Sequence, residues 1–145
     1  MTGRVEAIHV ATKKAAPTEP RERVTVVAGR GVEGDRKFGA NHDLTLIEAE
    51  ALEGLAEDTG IELSHEQSRR NVLTRGVSLN DLVGKRFRVG EVECEGVMLN
   101  EPCTSLEKLT YPGVLKGLVH RGGLRANVLH GGTIRPGDEV AELGD

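Results

Sequence analysis

Glycine recurs at short intervals from Gly29 to Gly144, and most segments between are brief runs rich in β-branched residues. Such punctuation leaves little room for long helices. It suits a small β-barrel or sandwich, whose tight turns need residues free to adopt positive φ. Nineteen glycines stand in 145 residues, with no internal repeat, low-complexity tract or dividing linker. A single domain over 1–145 is therefore expected, long enough to bury a real core.

RVEAIHVA (4–11), RVTVVAG (23–29), DLTLIE (43–48), NVLTRG (71–76), RANVLHGG (125–132) and DEVAEL (138–143) read as strands. KRFRVGEVECEGVML (85–99) reads as a long, bent or broken β segment. Its alternation places Val92, Cys94 and Met98 on one face and Glu91, Glu93 and Glu95 on the other. AEALEGLAEDTG (49–60) spaces Ala51, Leu52, Leu55 and Ala56 along one helical face and stops at Gly60. KKAAPTEPRE (13–22), with two prolines, is a loop; SLNDLVG (78–84) is a tight helical turn, and short helices are expected at 104–109 and 113–119. The sum is six or seven strands with a few short helices: a mainly β barrel.

The net charge of −4 and only three aromatics, Phe38, Phe87 and Tyr111, argue against a nucleic-acid binder, which needs a basic face and stacking platforms. No apolar run approaches a membrane span, and MTGRVEAIHVATKK lacks the apolar core of a signal peptide, so a cytoplasmic location and no membrane partner are expected. Two cysteines in a reducing compartment are not a disulfide framework. Chemistry by one of them stays open.

LNEPCTSL (99–106) carries the more telling cysteine. Cys103 follows Pro102 and precedes Thr104-Ser105-Leu106-Glu107, a capping-box pattern in which Thr104 caps a helix and Glu107 reaches back. A sulfur beside free N–H groups and a helix start is in surroundings that favour thiolate, suited to a nucleophile or a metal ligand. Cys94, alternating with glutamates in a strand, reads as a buried and inert filler.

GRGVEG (29–34) fits a dinucleotide-binding glycine pattern, but the following DRKFGANHD cannot form the amphipathic helix that motif requires. The better reading is a glycine loop whose backbone approaches something closely, with Asp35, Arg36 and Lys37 beside it. SRRNVLTRG (68–76), HRGGLRANV (120–128) and HGGTIRPGD (130–138) also gather cations and glycine turns at strand ends. Arginine forks and exposed N–H groups suit phosphate or carboxylate, so a local anion site in an acidic protein points to a phosphorylated small molecule. His9, His42, His65 and His130 have no zinc-type spacing with one another or with the cysteines.

Taken in order, GVEGDRK (31–37), LTLIEAEALEGL (44–55), RRNVLTRGVSLNDLVGKRFRVGEV (69–92), EPCTSLEKL (101–109) and HRGGLRANVLHGGTIRPGDEV (120–140) resemble the MOSC domain, named for the C-terminal domain of molybdenum cofactor sulfurase. The resemblance implies a MOSC-type β-barrel that binds the molybdenum cofactor (molybdopterin), a pterin dithiolene carrying phosphate. It implies that Cys103 carries sulfane sulfur as a persulfide or coordinates molybdenum. It also places Arg69, Arg70 and Asn71 at the cofactor's phosphate and pterin end, with Arg36, Arg121 and Arg125 as further candidates. Relatives that reduce N-hydroxylated compounds usually carry an added N-terminal β domain or a C-terminal helical extension, and these 145 residues hold neither. A partner is thus implied: a pyridoxal-phosphate cysteine desulfurase as sulfur donor, or an electron-donor protein. Three functions follow for comparison: sulfuration or delivery of the cofactor, molybdenum-dependent reduction of N-hydroxylated compounds, and non-enzymatic binding of an anionic metabolite.

Overall fold

The computed structural model describes residues 2–40 and 43–144. In chain order the strands are β1 (Thr2–Val10), β2 (Glu19–Arg21), β3 (Val24–Val27), β4 (Gly31–Val32), β5 (Leu44–Glu48), β6 (Val72–Arg75), β7 (Arg86–Val89), β8 (Val92–Leu99), β9 (Leu124–His130), β10 (Gly132–Ile134) and β11 (Glu139–Glu142). The helices are α1 (Ala49–Thr59), α2 (His65–Ser68), α3 (Thr104–Leu109) and α4 (Val114–Gly117), with a 3-10 turn at Leu79–Leu82.

Seven strands close into a barrel in the order β11-β7-β8-β9-β5-β6-β1, completed by antiparallel pairing of β1 with β11. Closure removes the unpaired edges that an open sheet of short strands would expose. β2 only flanks β1, where Pro20 needs no ladder donor. A small second sheet, β10-β3-β4, packs against the barrel and shares its core. In β1 the pairing with β6 shifts register between Val5 and Ala7, so Val5 and Ile8, three apart, both point inward.

β5 and β6 run parallel, with Leu46 opposite Val72. Parallel neighbours need a crossover, and α1 and α2 supply it. Leu55 of α1, Leu106 of α3, and Val114 and Leu118 at α4 form a second apolar cluster on the barrel's flank. Each such burial stabilises by about 1.5–3 kcal/mol. Gly60 ends α1 at φ 76°, donating its N–H to the Ala56 carbonyl, the left-handed stop read from the sequence.

Two expectations are corrected. Cys94 is buried, but Met98 is exposed, because β8 shifts register between Gly96 and Met98 and its outer end turns away from the core. The Thr104 capping box does not form: Cys103 itself is the N-cap of α3, and Glu107 accepts from the N–H groups of Gly113 and Leu115. A capping box exists instead at α2, where Ser64 and Gln67 satisfy each other's backbone N–H groups.

Candidate functional site

At one end of the barrel the end of β1, the entries of β5 and β6, the end of β8 and the start of β9 converge on a cavity of about 530 Å³. The sheet register explains the convergence. Thr45 lies opposite Arg125 across the β5–β9 pair, and Asn71, at the entry of β6, receives the Thr45 N–H and hydroxyl on its side-chain oxygen at 3.3 and 3.1 Å. Three neighbouring strands thereby present Asn71, Thr45 and Arg125 in one row. The glycine loop closes over them. Its Asp35 accepts from the Ala11 N–H at 2.8 Å, the Asn71 amide at 3.2 Å and the Lys37 N–H at 3.1 Å, which brings Arg36 and Lys37 to the wall. The loop after β8 brings Cys103.

Cys103, Arg36, Arg69, Arg70, Asn71 and Arg125 all line this cavity. Arg121 does not join them. Its guanidinium donates to the Gly117 carbonyl and to Asp58, tying α4 to α1 on the flank. His42 lies outside the described residues. Cys103 is exposed, whereas Cys94 is buried and its thiol is pushed up to about 12 by desolvation, with Asp43 and Glu93 adding to the rise.

The arginines do different work. Arg70 is buried; its Nε, Nη1 and Nη2 donate to the carbonyls of Gly122 (2.8 Å), Ser68 (3.2 Å) and Asn100 (2.7 Å). It clamps the Cys103 loop, the β9 entry and the end of α2 together. Desolvation lowers its pKa to about 10, the nearby Cys103 sulfur opposing and Arg125 reinforcing that shift. Arg69 occupies a left-handed position at φ 61° and donates to the Ala16 and Lys13 carbonyls, which fixes the loop bearing Lys14. Behind this wall His65 donates from Nε2 to the Arg70 carbonyl at 2.8 Å, and its ring lies 4.4 Å from that of His9. Burial, with His9 adding to it, lowers His65 to about 4.

Among the described residues, seven cationic side chains face three carboxylates in the wall. The carboxylates are already taken. Asp35 holds the glycine loop, Asp43 accepts from the Val128 N–H at 2.9 Å, and Glu101 binds the His120 N–H and ring. Among the described residues Lys14, Arg36, Lys37 and Lys108 have no side-chain hydrogen bond or ion pair. Desolvation lowers the Lys37 pKa, and the neighbouring Arg36 and Arg125 add to the fall. An anion bound among these cations would offset their mutual repulsion. Lys14, Lys108 and Asn100 escaped the sequence reading because each sits in a segment that looked like an ordinary loop or short helix, and Asp43 because it opens a segment that looked like a plain strand.

The family model of the MOSC domain matches residues 33–141. The chain belongs to the MOSC domain family. YuaD from Bacillus subtilis superimposes with a TM-score of 0.85 at 20% identity, over 97% of this chain and 94% of that one. YiiM from Geobacillus stearothermophilus gives 0.77 at 18% identity, over 98% and 75%, and YiiM from Escherichia coli 0.73 at 16%, over 98% and 70%. These likenesses establish the MOSC-type barrel. No curated protein matches significantly.

The MOSC family is associated with the molybdenum cofactor. The donor set suits such a group. Among the described residues no three histidine, cysteine or carboxylate side chains cluster to hold a metal ion. Cys103 is one soft donor, so a thiophilic metal held here must arrive with its own ligands, as a dithiolene supplies. The unpaired cations match a phosphate, and a volume of about 530 Å³ falls within the ordinary range for small-molecule sites.

Proposed function

We propose that this MOSC protein binds the molybdenum cofactor in the barrel-end cavity and handles its sulfur or its metal through Cys103, in cofactor sulfuration or delivery. The observation that carries the reading is the accessible thiol inside a cavity whose cations outnumber its carboxylates and whose carboxylates are all engaged. Arg36, Lys37 and Lys14 hold the phosphate; Arg125 and Asn71 border the polar ring. The bound cofactor supplies a redox-active, thiophilic metal centre. Cys103 offers it a soft ligand, or carries sulfane sulfur loaded by a separate pyridoxal-phosphate cysteine desulfurase. The protein works in the cytoplasm, without nucleic acid or membrane. Among its described residues no helix is long and apolar enough to cross a bilayer.

The test is elemental and pterin analysis of the protein purified from a host that makes the cofactor. Near-stoichiometric molybdenum and pterin are expected in the wild type, with both strongly reduced when Arg36 and Lys37 are replaced together by alanine. A wild-type protein free of both would leave anionic-metabolite binding as the better account.

A further inference from the structure

Asn100 stands three residues before Cys103 and is buried at 5% exposure, yet it borders the cavity. Its backbone is fixed on both sides: the N–H donates to the Gly123 carbonyl at 2.7 Å, and the carbonyl accepts from Arg70 Nη2 at 2.7 Å. Its side-chain oxygen accepts from Arg125 Nε at 2.8 Å. Arginine is only a donor, so this bond sets the amide orientation and turns the NH₂ group the other way. Among the described residues nothing accepts from Nδ2, and Nδ2 is not among the sealed, unpartnered polar atoms, of which His65 Nδ1 is the one found. A buried residue whose amide nitrogen is neither bonded nor sealed has one place to present it, the cavity it lines.

We infer that Asn100 is a fixed hydrogen-bond donor of the site, aimed at an oxyanion or oxo group seated beside Cys103. The inference deepens the proposed function, on which it rests for the nature of the ligand, and adds a residue that the strand pattern and charge clusters did not single out. Its energetic logic is preorganisation. Arg125 holds the amide before any ligand arrives, so the donor does not reorganise on binding. The two parts of the side chain are separable: Asp at this position keeps the oxygen for Arg125 and replaces the inward NH₂ with an acceptor, and Leu removes both.

The probe is inorganic phosphate, titrated calorimetrically against the wild-type protein, Asn100→Asp and Asn100→Leu, with thermal melts of each. A donor predicts that both variants bind phosphate about tenfold more weakly or worse. It predicts that Asp, although it preserves the Arg125 contact and the melting temperature, does not rescue. Because Asp also brings a negative charge, the deciding comparison is Asn100→Leu in an Arg125→Met background. A donor predicts that it still weakens phosphate binding several-fold, whereas no further loss means that Asn100 merely braces Arg125, which overturns the inference. So does a wild type that binds no phosphate, or an Asn100→Leu variant that binds as tightly as wild type. Phosphate binding that behaves as predicted, in a protein that acquires no molybdenum or pterin in the cofactor-making host, would keep the donor and remove the cofactor reading.

Discussion

Arg70 and Arg36 share a cavity wall but should respond to mutation in opposite ways. Replacing Arg70 with methionine keeps much of the volume and leaves the carbonyls of Ser68, Asn100 and Gly122 without their donor. Hydrogen bonds to a charged group contribute about 1.5–3 kcal/mol each. Part of that sum is offset because the mutation also removes a buried charge, whose desolvation is costly. A net loss of about 3–5 kcal/mol is the expected scale for breaking a buried charged network. Set against a total of about 5–15 kcal/mol, that is a large fraction of the fold's stability. At about 2–4 °C per kcal/mol for a domain near this size, the melting temperature should fall by roughly 6–20 °C. Arg36→Met, at an exposed side chain without partners among the described residues, should stay within about 0.5 kcal/mol of wild type while weakening phosphate binding. Urea unfolding followed by circular dichroism, with m-values compared, measures both. An Arg70→Met protein within about 0.5 kcal/mol of wild type at unchanged m would refute the clamp and make Arg70 a ligand contact instead.

Three further outcomes are expected. Iodoacetamide at neutral pH, followed by peptide mapping, should modify Cys103 and spare buried Cys94 in the native protein, and Cys94→Ala should cost about 1 kcal/mol of packing without changing that labelling. Because burial depresses His65 from about 6.5 to about 4, the fold favours its neutral form; that stability is complete above the unfolded value and is lost as pH falls from about 6.5 towards 4. Melting curves across this range should slope more steeply for wild type than for His65→Gln, and equal slopes would exclude the residue as the cause. Gly123→Ala should destabilise by about 3 kcal/mol or more, since the backbone sits at φ 108° and a Cβ would lie 2.0 Å from the Leu46 carbonyl oxygen; an unchanged urea midpoint would show that the strand entry can shift.

The barrel was legible in the sequence because its main strands carry local signals: alternation in 71–76 and 125–132, and glycine breaks that fall where the chain turns. The helix of the β5–β6 crossover was equally plain, with one apolar face and a glycine stop at residue 60. Less local features were not. Met98 breaks the face it was assigned because a bulge, set by pairing with β9, changes the period without marking the sequence. The cap of α3 fell one residue early, on Cys103, since Glu107 finds better donors at Gly113 and Leu115 across the following turn. In the site, the glycine loop, the Arg-Arg-Asn entry and Cys103 were visible as clusters. Their meeting depended on register: Thr45 against Arg125, and Asp35 reaching Ala11 and Asn71. Arg121 had the same composition around it as Arg125, yet it faces α1 and Asp58. Charge clustering alone cannot separate the two.

The central claim is that the cofactor sits against Cys103 in the cavity. The most direct measurement is the rate of Cys103 alkylation by iodoacetamide in protein purified with the cofactor, compared with the same protein after the cofactor has been stripped. The account predicts that Cys103 is protected in the loaded protein and reacts several-fold faster once it is stripped, while Cys94 stays unmodified in both. Equal rates at Cys103 in the loaded and stripped forms would contradict it.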